Sequence, residues 1–159
     1  MKAVGLSEIK KELEHLQPKE LLDVCISLAK YKKDNKEFLA YLLFEAQNKN
    51  QFIKTIKEEL DQQFEVIKLQ ANLYYVKKGL RKILRILSKY TKYINDKAAS
   101  AEIYIYFCVL LKSSGIPYHK SQLLVNLMEQ QLKKINMLIS TLHPDLQNDF
   151  LIDLETLHQ

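Results

Sequence analysis

Residues 66–95 read VIKLQANLYYVKKGLRKILRILSKYTKYIN, and this stretch decides the fold. Leu73, Val76, Leu80, Ile83, Leu84, Leu87 and Ile94 recur three, four and seven positions apart, which is one face of an α-helix. The same stretch carries eight basic residues (Lys68, Lys77, Lys78, Arg81, Lys82, Arg85, Lys89 and Lys92) and no acid. With Lys77 set at zero and 100° allowed per residue, Lys77 through Lys92 fall within about 0–140°, opposite an apolar stripe centred near ~290°. One face is therefore built to be buried and the other to be charged.

Working toward the N-terminus, Ile53, Ile56, Leu60, Phe64 and Ile67 form a second stripe. On the same angular scale it centres near ~100°, so an unbroken helix would have to turn its buried face around. The spacing predicts a break at 69–72 with Asn72 capping the helix that carries the cations, the alternative being one long helix packed on opposite sides at its two ends.

Farther out, Leu6, Ile9, Leu13 and Leu16 make a short helix with Ser7 as its cap, ending before Pro18. Pro18 suits a first helical position, and Leu21, Val24, Cys25 and Leu28 give the next helix its inner face as far as Lys33. Asp34 and Glu37 have capping-box spacing and open the apolar segment 38–44, expected to be buried on most sides. On the C-terminal side, Asn95 and Asp96 start a helix through Ile103 and Leu111, stopped by Ser113, Ser114 and Gly115 with Pro117 beyond. Ser121 caps a long helix using Leu124, Leu127, Met128, Ile135, Leu138 and Leu142, which His143 and Pro144 end. A last helix uses Leu146, Phe150, Leu154 and Leu157.

The expectation is an all-α fold of about eight helices in antiparallel hairpins, within a single domain over 1–159. At 159 residues and 47% hydrophobic, the chain can bury a sizeable core, and 3 Gly with 3 Pro leave few turns for a β-sandwich or barrel. Residues 18–46 and 77–111 also resemble each other. Leu21–Lys33 (LLDVCISLAKYKK) and Leu80–Lys92 (LRKILRILSKYTK) place apolar residues at the same positions, and each leads through a polar turn to Glu-x-x-x-Tyr, Glu37/Tyr41 and Glu102/Tyr106. Either this is a duplicated helical hairpin, or two amphipathic helices with basic C-terminal ends converge on one pattern. Stacked hairpins would give a short α-solenoid, similar in architecture alone to HEAT or armadillo repeats, whose consensus motifs are absent. The other arrangement is an irregular helical bundle.

Cys25 and Cys108 lie in apolar runs and are expected to be buried, reduced and structural. Residues 1–10 hold no signal-peptide core, and the longest apolar run, 103–111, is too short to span a bilayer. A cytoplasmic protein is expected. The net charge of +5 becomes −3 once the +8 of residues 66–95 is set aside, so the charge is directional.

The candidate site comes from that asymmetry: Tyr74, Lys77, Lys78, Arg81, Lys82, Arg85, Lys89 and Lys92, a basic face bordered by Tyr75 and Tyr93. Glu58, Glu59, Asp61 and Glu65 are the acids that would neutralise it internally if they lay alongside. The function expected is non-catalytic binding of an acidic protein surface through residues 72–94. The alternatives are sequence-independent binding of nucleic-acid backbone by the same face, and an enzyme whose site is assembled from distant residues. Glu12/His15 and Glu155/His158 have the Glu-x-x-His spacing of di-iron bundles. They sit at the ends of their helices and not in helix interiors, so neither a metal nor another cofactor is expected.

Overall fold

The structure, a computed structural model, describes residues 4–158, with side chains through Glu155. Leu157 and His158, the last apolar position and second histidine singled out above, therefore have side chains outside the described residues. The fold is all-α. It divides into two compact units, Met1–Gln47 and Asn48–Gln159.

The first unit holds α1 (Leu6–His15), α2 (Pro18–Tyr31) and α3 (Lys33–Ala40), with a π-helical turn over Tyr41–Glu45. Gly5, not Ser7, is the cap of α1: its backbone is extended, and its N–H donates to the Glu8 carboxylate at 3.2 Å. Ser7 thus falls inside the first turn. The Gln17 N–H likewise donates to Glu20 at 2.8 Å, and Pro18 takes the first position of α2, where no N–H is required. Lys32 precedes α3, which places Asp34 in its first turn, and the Asn35 amide donates to the Leu28 carbonyl at 2.9 Å across the bend.

Burial in this unit departs from expectation. Of its described residues only Tyr41 is buried, while Phe44 in the segment expected to be enclosed is 77% exposed and Leu22 is 60% exposed. Cys25 is half-buried. The apolar period here makes helices amphipathic without enclosing them.

The second unit holds α4 (Lys49–Lys68), α5 (Leu73–Ile94), α6 (Lys97–Ser113), α7 (Gln122–Ile139) and α8 (Pro144–His158). Helix α4 is capped by Asn48, which accepts the Gln51 N–H at 3.2 Å, and ends at the break over 69–72. Asn72 caps α5 by accepting the Tyr74 N–H at 2.8 Å. The two stripes then face each other in an antiparallel pair. Near one end the Phe52 and Tyr90 rings meet edge-on at 5.5 Å, and near the other Gly79 lies against Ile67.

Asn95 closes α5 in the left-handed region (φ 49°), and Asp96 at once caps α6, accepting the Ala99 N–H at 3.0 Å. Helix α6 is buried on most sides, from Ala99 through Phe107 and Cys108 to Leu111. It runs parallel to α4: Lys49 pairs with Asp96 at 2.5 Å, Lys57 with Glu102 at 2.7 Å, the Tyr106 hydroxyl donates to Asp61 at 2.7 Å, and Phe64 meets Phe107 edge-on at 5.6 Å. Each helix of this unit packs on its neighbour in sequence, and α6 also packs on α4 and α8. Helix α6 is thus the centre of the unit, with α4, α5, α7 and α8 all packed on it. Gly115 (φ 75°) turns the chain after α6, a 3₁₀ turn covers Tyr118–Lys120, and α7 begins after Ser121, whose side chain makes no capping bond. Helix α7 stops at Ile139, short of His143. Among the described residues no helix is long and apolar enough to cross a membrane.

Candidate binding face

Helix α5 positions the candidate residues by packing its opposite side. Val76, Leu80, Ile83 and Leu87 are at most 2% exposed, and burying each such side chain is worth about 1.5–3 kcal/mol, which fixes the helix about its axis. The cations are then held outward. Lys78, Arg81, Lys82, Arg85 and Lys92 are exposed, Lys77 and Lys89 half-buried, and Tyr74 66% exposed.

None of the four acids expected to neutralise this face does so through a described ion pair. Glu58 pairs with Lys54 at 3.9 Å and Glu65 with Lys68 at 2.5 Å, both along α4 itself. Glu59 accepts from Gln63 at 2.9 Å and from the Tyr90 hydroxyl at 3.3 Å, and Asp61 accepts from Tyr106. Burial is the main cause, and the Asp61 contact a further one, that pushes the Tyr106 hydroxyl up to about 12. Among the described residues, Lys77, Lys78, Arg81, Lys82, Arg85 and Lys92 make no ion pair. Like charges three and four apart repel by a few tenths of a kcal/mol per pair, and no described carboxylate is in contact with these residues.

The eight candidates do not form one uniform surface. Tyr74, Lys77, Lys78, Arg81 and Arg85, together with Leu84, border a recess of about 550 Å³. Among the described residues the six that line it all belong to α5, so they form one cationic wall with an aromatic and an aliphatic edge. Lys89 is drawn aside over the Tyr90 ring, 5.4 Å from its centroid. Lys92 borders a different recess, shared with α6 and α7. Leu84, assigned by periodicity to the buried stripe, is half-buried at the edge of the cationic recess. The Tyr74 and Tyr75 rings meet edge-on at 5.4 Å at its N-terminal end.

Chemically the described residues of this recess offer ammonium and guanidinium donors, one phenol and an apolar edge. Cys108 lies in the core, where burial pushes its thiol up to about 12, so it stays protonated and inert. Among the described residues no group of three or more His, Cys, Asp or Glu side chains could hold a metal ion. No protein-family model, curated protein or solved structure matches this chain.

Proposed function

We propose that the protein is a non-catalytic binding module whose α5 face receives an acidic segment of another protein. The carrying observation is the recess in which Lys77, Lys78, Arg81 and Arg85, unpaired among the described residues, surround Tyr74 and Leu84. Arginines give paired donors to carboxylates, and an aromatic with an aliphatic edge among charges is the composition of a protein-binding hot spot. From Lys77 to Arg85 the cations of this recess extend about 12 Å along α5, which suits a short acidic helix or extended segment laid beside them. Two unpaired cysteines are consistent with work in a reducing compartment such as the cytoplasm.

A second reading, binding of nucleic-acid backbone, is favoured by Tyr74 and Tyr75, both exposed at one end of the row where bases could stack. The two separate by fluorescence anisotropy with a labelled peptide rich in Glu and Asp carrying one aromatic residue, and with mixed-sequence oligonucleotides. The expected result is saturable peptide binding that weakens with salt and falls about tenfold or more in Arg81→Glu/Arg85→Glu, whose circular dichroism is unchanged. Oligonucleotide binding tighter than peptide binding, with a steep salt slope, selects the second reading. Absence of both at low salt removes the α5 face as a recognition surface.

A further inference from the structure

Helices α5 and α7 both rest on α6 but pack little on each other, and the gap between them is a recess of about 290 Å³. Three lysines reach it from three helices: Lys92 from the last turn of α5, Lys97 from the first turn of α6 and Lys134 from α7. None of the three makes an ion pair among the described residues. Asp96 also borders the recess, but its carboxylate is taken by Lys49 at 2.5 Å and by the Ala99 N–H, so it does not discharge the lysines. That capping also occupies the start of α6, leaving side chains as the available donors.

Tyr104 is the informative group. It is 1% exposed, yet its hydroxyl borders this recess and accepts a hydrogen bond from the half-buried Lys134 ammonium at 2.6 Å. The same ammonium lies 4.0 Å from the centre of the ring. Tyr104 therefore uses its oxygen as acceptor while its own O–H has no acceptor among the described residues. A phenol both accepts and donates, so with Lys134 on its oxygen the Tyr104 O–H remains as a donor at a recess bordered by three lysines that make no described ion pair. Ser88 adds a hydroxyl that makes no described hydrogen bond, whereas the Thr91 and Ser100 hydroxyls already donate to backbone carbonyls of their own or the preceding segment.

We propose that this recess binds a small phosphate-class oxyanion, the phosphomonoester group of a small molecule. Three ammonium groups, a phenol and a serine hydroxyl supply five donor groups and a charge surplus that a single carboxylate would leave unmatched. A dianionic tetrahedral group has the oxygens and the charge. The volume lies at the lower bound for ligand pockets, so a phosphate with a short carbon appendage fits better than a nucleotide. Bound there, the anion accepts a hydrogen bond from the Tyr104 hydroxyl while the Lys134 ammonium donates to the phenol oxygen.

Inorganic phosphate and glycerol phosphate, titrated into the full chain and followed by backbone amide NMR with acetate as control, test this. Saturable shifts confined to residues 88–104 and 134–138 are expected, with phosphate binding tighter than acetate. Lys134→Met weakens binding about tenfold or more, and Tyr104→Phe, which keeps the ring packing, weakens it about threefold. Arg81→Glu/Arg85→Glu leaves phosphate affinity unchanged, which separates this site from the α5 face. Shifts that do not saturate, or that acetate reproduces at equal ionic strength, overturn the proposal. Should Lys134→Met fail to fold, unchanged affinity in Tyr104→Phe overturns it alone.

Discussion

Gly79 lies in the middle of α5, where glycine costs a helix about 1 kcal/mol relative to alanine. The structure supplies its reason: a Cβ built there would sit 2.8 Å from both Cγ1 and Cδ1 of Ile67 on α4. Gly79→Ala therefore gains intrinsic helix stability and loses more through overpacking, typically about 1–3 kcal/mol, because Ile67 is itself buried and has little room to move. A net loss of about 1 kcal/mol is expected from urea midpoints. Combining it with Ile67→Ala should cost less than the two single losses added together, since the removed atoms are the ones in the way. A Gly79→Ala protein more stable than the parent would mean that α4 and α5 do not approach so closely. Sequence alone marks Gly79 only as a tolerated break in a helical pattern. The partner that demands it is on another helix, twelve residues away.

Caps show where local sequence is sufficient and where it is not. Asn72 stands immediately before an apolar period and caps α5, and of the adjacent pair Asn95 and Asp96 the first closes α5 in the left-handed region while the second caps α6. Ser7 and Asp34 do not cap their helices, because Gly5 with Glu8 captures the start of α1 and α3 begins one residue before Asp34, while Ser121 holds the cap position of α7 without a side-chain bond. Asp96 does two things, so its two substitutions should differ. Asp96→Ala removes the cap of α6 and the Lys49 pair and is expected to cost about 1–2 kcal/mol, whereas Asp96→Asn keeps a capping oxygen and loses only the charge, about 0.5 kcal/mol. The Lys49 hydrogen bond first, and the Ala99 N–H next, hold the Asp96 carboxyl below its ordinary 3.8. A carboxyl lowered in the folded state contributes stability above its unfolded value and loses it as pH falls through the folded one. The gap between parent and Asp96→Asn should thus be constant near neutrality and close below pH 3.8, which thermal melts across acid pH would show. A gap independent of pH would assign the difference to capping geometry instead.

For the whole molecule, the similar segments Leu21–Lys33 and Leu80–Lys92 meet different fates. Leu80, Ile83 and Leu87 are buried, while their counterparts Leu21, Val24 and Leu28 are exposed. Periodicity reports which side of a helix is apolar and cannot report whether anything covers it, because cover comes from elements distant in sequence. The same limit governs the sites. The basic face of α5 was legible since one helix carries all of it, whereas the grouping of Ser88, Lys92, Lys97, Tyr104 and Lys134 needed three helices in place. Cooperative stability should follow the distribution of burial. Apart from Tyr41, every buried residue described belongs to the second unit, where α4 through α8 enclose Ile103, Phe107 and Leu111. A fragment spanning residues 48–159 should accordingly melt in one cooperative transition within a few degrees of the full chain, and keep slow amide exchange in α6. A fragment spanning 1–47, with one buried side chain described and helices of 14 residues or fewer, should show only a shallow, noncooperative loss of helicity on heating. If the 48–159 fragment instead lost its sharp transition while the full chain kept it, the energetics would belong to both units together, and burial within the second unit would no longer account for its stability.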